Sequence, residues 1–219
     1  MNEILLIIEV VAMFSALLLF KKFFGVYGLL SWIALASVLA NIQVVKSVEI
    51  FGISGTVGNV LFASVFLATD LLRECYGKDM AKQGVYVGIA SVLLFLAVTQ
   101  ITLLYVPCDI DIAQNAMQTL FELSPRVCGA SLIMFAVSNL LSVYIYDKLF
   151  TLCKGGKMWL RNNITTGFCN CLENFGFVFL AFAGVYPFEE VLAIALSTCI
   201  IELGIALCDT PFLYIGKKI

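Results

Sequence analysis

Long apolar runs, separated by short polar and charged stretches, dominate the pattern of residues along the chain. Each run is close to or above the roughly 20 residues that an α-helix needs to cross about 30 Å of hydrocarbon. The runs cover about residues 4–20, 25–45, 55–72, 84–106, 127–146, 163–186 and 190–214. The pattern therefore predicts an all-α integral membrane protein with seven transmembrane helices, which form a single polytopic membrane domain over residues 1–219.

Basic residues are distributed unevenly between the two sets of connections. One set has only Lys46 and Arg126, whereas the other has eleven basic residues. These eleven are Lys21, Lys22, Arg73, Lys78, Lys82, Lys148, Lys154, Lys157, Arg161, Lys217 and Lys218. Because short basic connections stay in the cytoplasm, the pattern predicts an N-terminus outside and a cytoplasmic C-terminus. Lys21 and Lys22 follow the first apolar run instead of preceding it, so we interpret that run as a retained helix and not as a cleaved signal.

The composition agrees with a membrane protein and excludes several other classes. Apolar residues make up 62% of the 219 residues and charged residues only 13%, whereas about a quarter of a typical soluble domain is charged. The chain has no histidine, which excludes Ser-His-Asp sites and histidine zinc sites. No P-loop sequence occurs, and none of the eight cysteines forms a CxxC pair. We expect no cofactor and no metal, and we interpret most of the cysteines as small apolar residues.

An acid near the middle of the sixth segment is the strongest candidate for a functional residue. Glu173 shares one helix face with Thr166, Asn170 and Phe177, and Asn174 flanks it. A carboxylate at the centre of a membrane helix costs about 2.5–3.5 kcal/mol on insertion scales, so it normally faces a cavity or a partner. The polar stripe predicts a site that handles a solute or a proton. The alternative is a set of hydrogen bonds that join helices.

Two further segments carry candidate acids. In the third segment, Phe62, Phe66 and Asp70 share one face. The alternative for Asp70 is an interfacial ion pair of little energetic value. In the seventh segment Glu202 lies deeper, whereas Asp209 is expected close to the cytoplasmic rim, where both a solvated and a buried position remain open. The fifth segment has polar residues that we interpret as packing contacts: Ser131, Ser138, Asn139, Ser142 and Tyr146.

The stretch VFLATDLLRECYGKDMAKQ, residues 65–83, resembles a hallmark of the queuosine precursor transporter family. That hallmark has an Asp and a Glu four residues apart at the end of a helix, followed by Tyr-Gly and a basic loop. The matching residues here are Asp70, Glu74, Tyr76 and Gly77. The resemblance extends to the residues before this stretch, which include Asn41-Ile42, Lys46 and a glycine-rich start of the third segment.

A second block is similar to the same family. It contains Arg161, two threonines, Asn170 and Glu173, and it continues into the aromatic run FVFLAFAG. The family usually has an aspartate where this chain has Glu173, and a proline where this chain has Ala63. The resemblance covers about residues 35–210.

The resemblance implies a multi-pass importer in the cell (inner) membrane that carries queuine or its cyano- or aminomethyl-deazaguanine precursors for tRNA modification. Its partners would be this small-molecule base and the lipid bilayer, with no nucleic acid. A carboxylate can accept the adjacent N–H groups of a guanine-like base, and aromatic rings can stack on it. We expect substrate binding by Glu173, Asn170, Asp70, Asn174, Phe66, Phe62, Phe177 and Thr166. We expect gating or orientation by Asn41, Lys46, Glu74 and Arg161, and proton coupling by Glu173, Glu202 and Asp70.

Several alternatives remain open on the sequence. The chain could be the substrate-binding membrane subunit of an ATP-driven vitamin importer, a non-transporting assembly protein or, least favoured, a membrane-embedded enzyme. Buried carboxylates would allow proton coupling, whereas facilitated diffusion followed by metabolic trapping would need no coupling ion. The charge-free fourth segment would allow contact either with lipid or with a second copy of the chain in a homo-oligomer.

Overall fold

The computed structural model describes residues 1–121 and 125–219, and its secondary structure is almost entirely helical. In chain order the elements are α1 (Asn2–Gln43), β1 (Ser47–Ile50), β2 (Ile53–Thr56), α2 (Asn59–Tyr76), α3 (Lys78–Leu103), α4 (Gln114–Phe121), α5 (Pro125–Leu152), α6 (Met158–Phe182), α7 (Phe188–Leu207) and α8 (Asp209–Lys218). The two strands form a short antiparallel hairpin between the first two long helices, which the sequence pattern did not predict. The short α4 was not predicted either.

Five stretches of the described chain are long and apolar enough to cross a membrane. They are Asn2–Gln43, Lys78–Leu103, Gly129–Leu152, Met158–Phe182 and Phe188–Lys218. The last stretch combines α7 and α8, so the predicted seventh segment is divided at Cys208. The expectation of a multi-pass helical membrane protein is confirmed.

Helix α1 contains the first two predicted segments and breaks between them, at Gly25. This glycine has φ 58° and ψ −132°, a backbone conformation that residues with a Cβ rarely adopt. The chain reverses there, because Nε2 of Gln43 lies 3.5 Å from Oε1 of Glu9 although the two residues are 34 positions apart. A continuous helix would separate them by about 51 Å. The two arms of α1 therefore lie side by side as a helical hairpin.

Helix α2 is the central helix of the fold. All of its residues from Asn59 to Leu72 are buried except Phe62, and α2 contacts α1, α3, α5, α7 and α8. Gly58 starts the helix at a close approach, since a Cβ at that position would lie 2.8 Å from the carbonyl oxygen of Ala40. Because α2 is surrounded by protein and not by lipid, it can carry the charged side chains that make it the least apolar of the long helices.

The basic ends of the helices meet at one end of the bundle. There the ammonium group of Lys21 donates to the carbonyl oxygen of Gly216 at 2.6 Å, and Asp147 pairs with both Arg73 and Lys78. The N-terminus lies at the opposite end, where Nδ2 of Asn2 donates to the carbonyl oxygen of Glu49. The two ends of the bundle thus match the two sets of connections that differ in basic residues.

Candidate functional site

Glu74, in the last turn of α2, is the centre of a buried ionic cluster at the basic end. Its Oε1 lies 2.8 Å from Nη2 of Arg161 on α6, and both side chains are completely buried. The hydroxyl of Tyr146 on α5 donates to the same oxygen at 3.1 Å, and Nζ of Lys217 on α8 lies 2.5 Å from Oε2. The Arg161 guanidinium also covers the rings of Phe150 and Tyr146, at 4.6 and 5.3 Å. One carboxylate therefore connects four helices.

Asp70 lies one helical turn deeper on α2 and faces α6. Its carboxylate is buried, and Oγ1 of Thr166 donates to it at 3.5 Å. On the same side of α6, Asn162 donates to the carboxylate of Asp209, which is completely buried at the start of α8. Of the solvated and buried positions that the sequence left open for Asp209, the structure shows the buried one. The break at Cys208 turns this residue towards α6, which a continuous helical projection could not show.

A second pair of acids lies further along α6, towards the N-terminal end of the bundle. Glu173 is half-buried, and Oγ of Ser138 on α5 donates to its Oε2 at 2.6 Å. Next to it, Nδ2 of Asn174 donates to Oε2 of Glu202 on α7 at 2.6 Å. The polar stripe of α6 thus contacts α5 through Glu173 and α7 through Asn174.

The interior of the bundle contains several acidic side chains. In the described chain, Asp70, Glu173, Glu202 and Asp209 accept hydrogen bonds from hydroxyl and amide groups, and none of them forms an ion pair. Such carboxylates suit a cationic or N–H-rich ligand, or a proton. The described residues contain no group of three side chains that could hold a metal ion.

The other predicted binding residues lie in two kinds of environment. Asn170 is buried, and its Oδ1 has no hydrogen-bond partner within the described ranges. Phe66 is buried on α2, one turn from Asp70, whereas Phe62 packs against the main apolar core. Phe177 packs in an aromatic cluster near the end of α6, with its ring 6.1 Å from that of Phe182.

The four predicted gating residues are divided between the two ends of the bundle. Glu74 and Arg161 meet at the basic end, as described above. Asn41 lies beside the start of α2, where its Nδ2 donates to the carbonyl of Ser37, and Lys46 is exposed next to the hairpin. From Asn59 to Glu74 the helix rises by about 22 Å, so these two pairs are not in contact.

Helix α5 contributes polar residues next to the candidate site, and their sequence pattern alone suggested packing contacts. Ser138, Asn139, Ser142 and Tyr146 are all buried, and Ser138 and Tyr146 contact Glu173 and Arg161 of α6. Their spacing of three to four residues was the only available signal for this shared face. That spacing cannot distinguish a packing face from a binding face.

These features define a class: a multi-pass helical membrane protein whose interior holds hydrogen-bonded carboxylates, as solute carriers do. A model of the family described as "Putative vitamin uptake transporter" matches residues 56–216. The chain is 40% identical over 206 residues to the "Probable queuosine precursor transporter" of Bacillus subtilis (strain 168), which covers 94% of this chain and 90% of that protein. It is 28% identical over 160 residues to the "Queuosine precursor transporter" of Escherichia coli (strain K12), covering 71% of this chain and 70% of that protein.

The chain therefore belongs to this vitamin uptake transporter family, which confirms the resemblance found in its motifs. The family is one of transporters and not of enzymes. No solved structure matches the chain significantly.

Proposed function

We propose that the chain is an inner-membrane importer of queuosine precursors, the 7-deazaguanine bases that are salvaged for tRNA modification. The proposal is supported by the relative from Bacillus subtilis, which carries that name and matches this chain over nearly its full length. It is also supported by the polar interior, because a lipid-facing or purely structural helix has no use for several carboxylates without cationic partners.

The proposed transport domain spans the membrane seven times, with the N-terminus outside and the C-terminus in the cytoplasm. The spans are the two arms of α1, then α2, α3, α5 and α6, and finally α7 together with α8. The reversal at Gly25 and the contact between Glu9 and Gln43 support two spans within α1. The positive-inside rule supports the orientation, since the basic end of the bundle would then face the cytoplasm.

The single observation that carries the binding proposal is the position of Asp70 and Glu173, both facing the interior with only neutral hydrogen-bond donors. A deazaguanine base has adjacent N–H groups on its Watson–Crick edge, which one carboxylate accepts in a bidentate manner. The amide of Asn170 is then available for the neighbouring ring carbonyl, and Thr166 holds Asp70 in position. Asn174 holds Glu202 beside the site, because its two N–H groups bond the carbonyl of Asn170 and the Glu202 carboxylate. Phe66 is the aromatic residue nearest to Asp70 on its helix, and Phe62 and Phe177 extend the aromatic surface.

Two gates complete the proposed cycle. The ion pair between Glu74 and Arg161 closes the cytoplasmic end, and Asn41 with Lys46 orients the base at the outer end. Glu173, Glu202 and Asp70 are the carboxylates proposed to exchange protons during transport, because they lie in the interior and form hydrogen bonds but no ion pairs in the described chain.

The experiment is uptake complementation in a bacterium that can neither make nor import queuosine precursors. Cells expressing the chain receive queuine, the cyano base or the aminomethyl base, and queuosine in tRNA is measured. We expect at least one base to restore queuosine, and Glu173→Gln to lower the rate about tenfold or more, since a hydrogen bond to a charged group contributes about 1.5–3 kcal/mol. The matched control is Glu9→Gln, which alters a half-buried acid of α1 outside the proposed site.

Each of the other possible outcomes contradicts one part of the proposal. If no base restores queuosine despite membrane expression and a working control importer, the chain is not such a transporter, and an assembly role takes its place. If restoration requires an added ATP-driven module in the host, the chain is a substrate-binding subunit. If Glu173→Gln and Glu9→Gln both transport normally, Glu173 does not bind the base.

A further inference from the structure

Helices α5 and α6 pack antiparallel in a register that two contacts define. Ser138 contacts Glu173, and Phe150 contacts Arg161. Phe150 and Arg161 lie twelve residues from Ser138 and Glu173 respectively, so both contacts belong to a single register. Between them the two helices share about 18 Å of interface.

Four neutral polar residues lie at the level of this shared stretch, and we call them the α5–α6 seam. They are Asn139 and Ser142 on α5, and Thr165 and Asn170 on α6. In the register given above, Ser142 is level with Asn170 to within one residue, and Asn139 is less than one turn further along. Thr165 is about one turn nearer to Arg161.

Every residue of the α5–α6 seam is almost completely buried, with an exposed fraction of at most 1%. Each also has one polar atom without a hydrogen-bond partner in the part of the chain that is described: Oδ1 of Asn139, Oγ of Ser142, Oγ1 of Thr165 and Oδ1 of Asn170. Buried polar atoms in native proteins are nearly always hydrogen-bonded, so four such atoms at one level of two neighbouring helices need an explanation.

Hydrogen bonds between helices do not provide that explanation. Polar residues that hold membrane helices together bond across the interface. Asn139 instead donates its Nδ2 to the carbonyl oxygen of Phe135 on its own helix, at 2.9 Å. This bond also identifies Oδ1 of Asn139 as an acceptor that faces away from Phe135.

We propose that the α5–α6 seam is part of the cargo-binding surface and that Asn139 and Ser142 are specificity-determining residues for the transported base. The inference rests on the proposed function and assigns the residues that bind the part of the base that the carboxylates do not bind. The amide oxygen of Asn139 accepts the N–H of the exocyclic amine that the carboxylate leaves free, the amide of Asn170 bonds the ring carbonyl, and the hydroxyl of Ser142 accepts or donates beside them. Glu173 and Arg161 lie at the two ends of the seam.

This chemistry selects for an exocyclic amine. The exocyclic amine of a guanine-type base has two N–H groups, of which the carboxylate accepts one and the amide oxygen of Asn139 accepts the other, whereas a base without that amine leaves this oxygen unbonded. Sites that hydrogen-bond a polar group of the substrate reject analogues that lack it. The seam therefore distinguishes a guanine-type ring from a hypoxanthine-type ring.

The test uses the full-length chain in membrane vesicles, with uptake of the base that complements best. Unlabelled 7-deazaguanine and 7-deazahypoxanthine serve as competitors. We expect Ser142→Ala to raise KM about tenfold and Asn139→Ala to lower the preference for 7-deazaguanine about tenfold, because each loses a hydrogen bond to the cargo. The matched control is Ser91→Ala on α3, whose hydroxyl bonds only to the carbonyl of Val87 on its own helix.

Ser142→Ala separates binding from folding. The variant removes a hydroxyl that has no hydrogen-bond partner in the described chain, so a purely structural role predicts unchanged or increased thermal stability and an unchanged KM. If both variants retain the KM and the competitor preference of the wild type, the seam does not contact cargo and the proposal is wrong. If the wild type itself carries none of the bases, the proposed function fails first, and the assignment of the seam fails with it.

Discussion

Nη2 of Arg161 lies 2.8 Å from Oε1 of Glu74, and neither side chain has any surface in contact with solvent. The pair joins α6 to the central helix α2, and Tyr146 and Lys217 add α5 and α8 to the same carboxylate. The Glu74–Arg161 pair lies beyond the proposed binding residues, on the side of the basic end of the bundle. A cluster that joins four helices there can both stabilise the closed bundle and control passage to the cytoplasm.

Breaking this pair from one side should destabilise the protein. Glu74→Gln leaves the Arg161 guanidinium buried without a charged partner, which costs about 3–5 kcal/mol in comparable pairs. We expect a clear fall in the thermal unfolding temperature in detergent. Asp79→Asn, an exposed acid in the first turn of α3, is the control and should leave the temperature unchanged.

The double variant Glu74→Gln with Arg161→Met separates stability from gating. Replacing both partners of a buried pair is often neutral for stability, so we expect the unfolding temperature to return towards that of the wild type. We expect transport to remain impaired because the gate is lost. Full recovery of transport together with stability would show that the pair has a structural role only.

Accumulation of the base should depend on protons carried by the interior carboxylates. A protonophore should abolish accumulation by the wild type in vesicles that lack the downstream enzymes. Glu202→Gln should retain exchange of base across the membrane but lose accumulation against a gradient, because the amide cannot carry a proton. Glu190→Gln, exposed at the start of α7, is the control. Accumulation that resists the protonophore would contradict proton coupling.

The thiols of Cys171 on α6 and Cys199 on α7 lie 2.7 Å apart, one helical turn from Asn174 and Glu202. Copper–phenanthroline should oxidise them to a disulfide, each thiol losing a proton and one electron to the oxidant. We expect the cross-link to fix α6 against α7 and to block uptake until dithiothreitol reduces it. Mass spectrometry of the peptides reports the bond, and Cys171→Ser should make uptake insensitive to the oxidant. A complete cross-link with normal uptake would show that α6 and α7 do not move relative to each other.

Two natural cysteines test the proposed orientation without any substitution. Cys108 is exposed in the connection after α3, and Cys153 lies in the connection between α5 and α6. In the seven-span arrangement the first is outside and the second is cytoplasmic. A membrane-impermeant maleimide should label Cys108 in intact spheroplasts and Cys153 only after permeabilisation. The reverse order of labelling would invert the topology.

Much of this organisation could be predicted from the order of residues. The apolar runs located the long helices, and the boundary between the first two runs coincides with the break at Gly25. The periodicity of α6 placed Thr166, Asn170 and Glu173 on one face. These properties are local, because membrane crossing depends on the hydropathy of about 20 consecutive residues and a shared face depends on the helical repeat.

The partners of those faces depended on how the helices pack. Asp70 and Thr166 are 96 positions apart, and Glu74 and Lys217 are 143 apart. No local pattern encodes such pairs. Hydropathy also does not distinguish a helix surrounded by protein from one surrounded by lipid, because lipid tails are as apolar as a leucine side chain. The central position of α2, the burial of Asp209 and the face that α5 contributes to the interior therefore came from the order and rotation of the packed helices.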